Sequence, residues 1–235
     1  MTSGARRAWL SGVAGWAGAT AAGWLLPGAA HAGPQAEVPL ADAVRGALAA
    51  AIASAAPPKP VFQNLDARLA FLRWLSTMSE RLKRQKSEAH TRLEFLETLW
   101  YESTRAGLEP ALVLALIQVE SGFRKYAISS AGARGYMQVM PFWARQIGDG
   151  EPARLFHMQT NLRFGCVILR HYLDIERGDL FLALGRYNGS RGRAEYPDAV
   201  FAAWKNKWHW DGSPATPGPA AATSAVAPRS ADPKR

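Results

Sequence analysis

Glu120 is the residue whose surroundings most alter what its side chain can do. It follows Leu112 and Leu116 at steps of four, on one helix face with two large apolar side chains and close to a helix end marked by Gly122. A carboxyl group there is partly desolvated, which favours its neutral form and raises its pKa toward the range of a general acid. The same spacing also fits a glutamate at the edge of the stripe that reaches water. Gln138 carries a donor and an acceptor in one side chain. Tyr187 continues an apolar stripe through Leu180 and Leu184, so its ring belongs to a core while its hydroxyl can reach a site. No Asp or Glu lies between Glu120 and Asp149, so a second reactive carboxylate would have to come from elsewhere. Cys166 is the single cysteine, on the apolar face of its helix with no base partner near it in sequence, and reads as a buried, inert thiol. It excludes a disulfide framework and any multi-cysteine metal site, and five dispersed histidines (31, 90, 157, 171, 209) form no close ligand pair.

The elements that position these residues read as helices throughout. Apolar residues recur at helical spacing at Leu65, Leu69, Leu72, Leu75, Met78 and Leu82, at Leu93, Leu96 and Leu99, and again at Leu162, Cys166, Leu169 and Leu173. Pro110 and Pro141 suit first helical turns, and Gly122, Gly178 and Gly189 are placed to end helices. The stretch Ile128 to Val139 leaves room for a short irregular element. The fold expected is all-α. Of the 235 residues, 48% are hydrophobic and 20% charged, which removes fibrous and wholly disordered readings. Residues 1–32 read as a signal peptide: Arg6-Arg7, an uncharged run from Ala8 to Leu26, and Ala30-His31-Ala32 before a cleavage point at Gly33. That predicts export to the periplasm, with no stable membrane anchor after cleavage. Residues 33–60 read as an Ala/Pro-rich linker with a short helix around Leu40 to Ala53, and 211–235 as a disordered Ala/Pro-rich tail, leaving a folded domain at 61–210. A basic stretch from Ser79 to Arg92 reads as a solvated helix end and turn.

Three blocks tie these residues together. Gln118 to Phe123 read Q-V-E-S-G-F, Ser129 to Pro141 read S-S-A-G-A-R-G-Y-M-Q-V-M-P, and Arg186 to Gly189 read R-Y-N-G. In this order and with these gaps they resemble the soluble lytic transglycosylases of the goose-lysozyme-like SLT family, over about Leu108 to Trp204. The resemblance extends to Asn161-x-x-x-Gly165 and to Tyr196 with Val200. It implies a lysozyme-like helical domain in which Glu120 is the sole catalytic acid/base and Ser121 the small polar residue beside it. It further implies that Ser129, Gln138 and Met140 line a glycan groove, and that Tyr187 and Asn188 face the glutamate. Tyr136 stands where the family usually has Leu, and Arg186 and the early Gly189 depart from its more common Ala-Ala-Tyr-Asn-Ala-Gly.

The activity so implied is cleavage of the β-1,4 bond between N-acetylmuramic acid and N-acetylglucosamine, closing a 1,6-anhydro ring with no cofactor or metal. Two alternatives stay open: a goose-type lysozyme-like hydrolase, in which water wins, and a non-catalytic cell-wall-binding or assembly module. The net charge of +9 suits an acidic polymer such as peptidoglycan, whose stems carry carboxylates. No nucleic-acid motif accompanies it. The small size, with no recognisable wall-binding repeat, fits service to a secretion or conjugation machine as partner.

Overall fold

The computed structural model describes residues 35, 37, 39–53, 60 and 62–212, and the helical periodicity appears in it as eight α-helices. They are α1 (Asp42–Ala53), α2 (Leu65–Leu82), α3 (Ala89–Arg105), α4 (Pro110–Ser121), α5 (Pro141–Ile147), α6 (Met158–Ile175), α7 (Leu180–Asn188) and α8 (Glu195–Ala203). A 3-10 turn at Pro152–Phe156 and a π-helical turn at Trp204–Trp208 complete the order. The described residues form no β-strand, only two isolated bridges, Ile128 to Arg134 and Arg134 to Val139, in the stretch expected to be irregular. The domain is all-α. None of its described helices is long and apolar enough to cross a membrane. The leader expected at 1–32 lies outside the described residues, as does the expected tail beyond Gly212.

Helix α4 is the centre of the packing. Residues 111–117 are all buried, enclosed by α3, α8 and the π-helical turn, so this helix has no solvated stripe. Pro110 opens it and Gly122, at φ 57°, closes it in the left-handed conformation that glycine adopts without strain. Helix α2 departs from the expected stripe. Leu75, Met78 and Leu82 are buried with Phe71 and Trp74, but Leu65, Leu69 and Leu72 are exposed.

One further expectation is corrected. The basic stretch after Ser79 is not simply a solvated end: Arg92 is buried, bonding Ser79 Oγ at 2.8 Å and the carbonyls of Lys86 and Ser87. Lys86 donates to the Tyr136 hydroxyl at 2.7 Å and lies over the Phe95 and Tyr136 rings, and burial followed by the nearby Lys125 charge lowers its pKa. The short helix expected around Leu40 to Ala53 is α1, and it packs on α5 and α6, with Leu48 and Ile52 against the core. Its last carbonyls, which a helix end leaves without internal partners, are taken by side chains: Ala51 by Arg105 and Ile52 by Arg163. Both arginines pair with the buried Glu102, Arg163 at 2.8 Å.

Candidate active site

Glu120 occupies the last turn of α4, 7% exposed, in a neighbourhood desolvated on every side rather than along one stripe. Its Oε1 accepts a hydrogen bond from the Tyr196 hydroxyl at 2.5 Å, while Oε2 is buried without a partner among the described residues. Burial raises the pKa from 4.5 to about 8, against the weaker opposite pull of the Tyr196 hydrogen bond. At neutral pH the group is therefore a carboxylic acid whose second oxygen has no hydrogen-bond partner among the described residues. Tyr196 and Tyr187 both have their pKa pushed well above the usual value, first by burial and then by the Glu120 charge, so both remain neutral hydroxyls. Among the described residues no other carboxylate bears on the titration of Glu120, and Asp149 pairs with Arg154 at the surface.

The loop between α4 and α5 is fastened on both sides. Ser121 Oγ donates to the Tyr136 carbonyl at 2.7 Å, tying the helix end to the loop. Ser129 Oγ accepts from the Ala133 amide at 3.1 Å and closes a turn. Gln138 sits at φ 49°, uncommon for a residue with a Cβ, and its Nε2 donates to the carbonyls of Gly135 (2.9 Å) and Ala127 (3.2 Å). Both its donors thus hold the loop, leaving its Oε1 as the atom available to a ligand. Met140 caps the start of α5 and is half-buried.

From the other side, the fully buried Asn161 accepts from the Met137 amide and donates to the carbonyls of Arg134 and Leu155, each at 2.8 Å. A Cβ at Gly165, one turn on, would lie 2.3 Å from Met137 Sδ, and one at Gly135 (φ 74°) would lie 2.4 Å from Asn161 Nδ2. The Asn-x-x-x-Gly spacing is thus a clamp that seats the loop on α6.

The third wall comes from α7. Tyr187 is buried and donates to the Met137 carbonyl at 2.7 Å, and so holds the loop instead of the glutamate. Asn188 is buried with its Nδ2 unpartnered among the described residues. Arg186 and Arg191 converge on Glu176 at 2.7 and 2.8 Å. The Arg191 hydrogen bond first, and then Arg186, hold that carboxylate's pKa at about 2. This network fixes the turn after α7, where the chain departs from the family pattern.

The structure thus gathers Glu120, Tyr187 and Tyr196, with Ser121 and Gln138 bracing the loop between them; Ser129, Met140 and Asn188 make no hydrogen bond to Glu120 among the described residues. Sequence reasoning gave Tyr196 no role, although it stands one helical turn before the buried Val200 on α8. Trp208 is fully buried and its Nε1 donates to Gln118 Oε1 at 2.8 Å, while Trp204 is half-buried.

A helical domain that buries one carboxylic acid beside tyrosine hydroxyls is the frame within which the comparisons with known proteins fall. Residues 98–207 match the family model described as Transglycosylase SLT domain. Among curated relatives, the "Transglycosylase" of Enterobacteria phage PRD1 is 33% identical over 104 residues, covering 44% of this chain and 38% of its own. "Membrane-bound lytic murein transglycosylase C" is 37% identical over 84 residues in Actinobacillus pleuropneumoniae, covering 32% of this chain and 23% of that one. Its namesake from Yersinia pestis is 31% identical over 129 residues, with 48% and 35% covered. The chain therefore spans well under half the length of these relatives. Among solved structures, lytic transglycosylase Slt from Pseudomonas aeruginosa aligns over 59% of this chain and 26% of its own, with 24% identity and a TM-score of 0.39.

Proposed function

We propose that this protein cleaves the glycan strands of peptidoglycan as a lytic transglycosylase, with Glu120 as its acid and base. The observation that carries the reading is the Glu120 carboxyl: buried, protonated at neutral pH, held at one oxygen by Tyr196 and unpartnered among the described residues at the other. In the first step its proton passes to the oxygen leaving C1 of N-acetylmuramic acid, and an oxocarbenium-like or N-acetyl-assisted species forms. The Tyr196 hydrogen bond then stabilises the carboxylate just created. That carboxylate takes the proton of the same sugar's C6 hydroxyl, whose oxygen bonds to C1 and closes the 1,6-anhydro ring. Most glycosidases need two carboxylates. A tethered hydroxyl removes the need to orient water, because its effective concentration far exceeds that of a bimolecular partner, and among the described residues no second carboxylate acts on Glu120.

The glycan is held by Gln138 through its acceptor oxygen, with Ser121, Ser129, Met140, Tyr187 and Asn188 along the groove. The unit responsible is the domain from 61 to 210, entered from the segment that carries α1. Its site of action is the periplasm of the bacterial envelope, a reading supported by the apolar leader and by the words "membrane-bound" and "murein" in two relatives' names. The partner we propose is an envelope-spanning secretion or conjugation machine. The test is Glu120→Gln on purified sacculi, with muropeptide release expected to fall by about a hundredfold or more while the fold persists. Release near the unsubstituted rate would remove Glu120 from the reaction.

A further inference from the structure

Near the site, the chain fills a polar slot with one of its own side chains. Gln35 precedes α1 and is 8% exposed. Its Nε2 donates to the main-chain carbonyl of Tyr187, and its Oε1 accepts from Trp143 Nε1 at 3.1 Å. Glu37 adds a contact with Gln146 Nε2 at 3.0 Å, so the segment grips α5 at two points. The Tyr187 carbonyl lies in the last turn of α7, where helix carbonyls lose their internal partners; the amides of Gly189 and Ser190 take those of Arg186 and Gly185, and Gln35 takes this one. Trp143 is 3% exposed, and its indole N–H can only donate. The slot is thus one buried donor and one buried acceptor, each costly to leave unmet. Asn188, the next residue of the wall, is buried with its own amide nitrogen unpartnered.

A side-chain carboxamide presents a carbonyl and an N–H across one C–N bond, and so does the acetamido group of an N-acetylated sugar. We propose that Trp143 Nε1 and the Tyr187 carbonyl form an acetamido-binding slot, and that the segment bearing Gln35 is its intramolecular competitor. The glycan must then displace this segment to seat an N-acetyl group, so the free chain rests in a self-occupied state. The proposal rests on the glycan-cleaving reading of the site. Its ligand is recognised by amide chemistry, independent of the proton transfers at Glu120.

The test uses the whole chain carrying Glu120→Gln, titrated with tri-N-acetylchitotriose or with cellotriose, which lacks acetamido groups. The readout is the 15N-indole resonance of Trp143, assigned by its loss in Trp143→Phe. Gln35→Ala, and Gln35→Met, which keeps the side chain's length, should each lower the half-saturating concentration of the N-acetylated trimer by about tenfold, as expected when a competitor occupying the slot nine-tenths of the time is removed. Cellotriose should leave the Trp143 resonance in place. Equal half-saturation with and without Gln35, an equal response to cellotriose, or shifts that spare Trp143 would each overturn the slot. Muropeptide release by the chain with Glu120 intact, measured in parallel, decides the glycan-cleaving reading separately.

Discussion

Replacing Glu120 by Gln should make the protein more stable at alkaline pH and leave its stability near pH 4.5 almost unchanged. Unfolded, the carboxyl releases its proton near the ordinary value of 4.5; folded, burial makes it keep the proton until about pH 8. Between those values the folded state binds more protons than the unfolded one, so stability falls as pH rises through this window and levels off above it. At about 1.36 kcal/mol per pH unit across that window, the loss approaches about 5 kcal/mol, an upper figure because water entry and local relaxation soften it. Gln cannot ionise and escapes the loss. For a domain of this size, about 3–5 kcal/mol corresponds to a melting temperature roughly 8–15 °C higher for the variant at pH 9. Paired thermal melts of both proteins at pH 4.5, 7 and 9 make the comparison. Curves that stay parallel across pH would mean that Glu120 titrates normally, and the desolvation argument would fail.

Tyr196→Phe removes the hydrogen bond that favours the carboxylate, so the alkaline limb of the pH–activity profile should move to higher pH while turnover drops; an unmoved limb would deny Tyr196 this role. Asn161→Ala leaves one amide and two carbonyls of the loop clamp unmet and should cost about 3 kcal/mol or more in denaturant titrations. Gly135→Ala places a Cβ at positive φ against Asn161 and the Leu155 carbonyl, and should lower the melting temperature more than Gly132→Ala, where the added atom meets open space. Removing residues 1–60 takes α1 from Arg105 and Arg163 and bares its contacts on α5 and α6, so the remaining domain should melt earlier than the whole chain; equal melts would mean that α1 adds nothing to stability.

What the sequence made legible and what it concealed divide along physical lines. Period and punctuation are local, and they gave the helices, with Pro110, Gly122 and Gly189 at the ends expected of them. Glu120 was legible because its apolar neighbours lie on the same helix, although the enclosure responsible for its high pKa comes from α3, α8 and the π-helical turn, which no spacing along α4 reveals. Tyr196 was picked out by the resemblance, but its role was hidden for the same reason: its partner lies 76 residues away, and only the packing of α8 on α4 joins them. The Tyr187 hydroxyl, read from the sequence as reaching the site, meets the Met137 carbonyl, a partner 50 residues away that no local spacing reveals. The docking of Gln35 and α1 went unread because Ala-rich, Pro-rich composition resembles a linker, and the arginines that receive α1 belong to distant helices. The leucine stripe of α2 misled at its first turns because periodicity marks an apolar face without saying where its partner ends.

The measurement that bears most directly on the proposed reaction is the chemical state of the glycan ends released from purified sacculi, read by mass spectrometry before and after borohydride treatment. With one buried acid and a tethered C6 hydroxyl as nucleophile, the ends should be 1,6-anhydro-N-acetylmuramic acid, lighter than hydrolysed ends by one water and inert to borohydride. Full-mass, reducible ends would show that water is the nucleophile and contradict the single-carboxyl mechanism at Glu120.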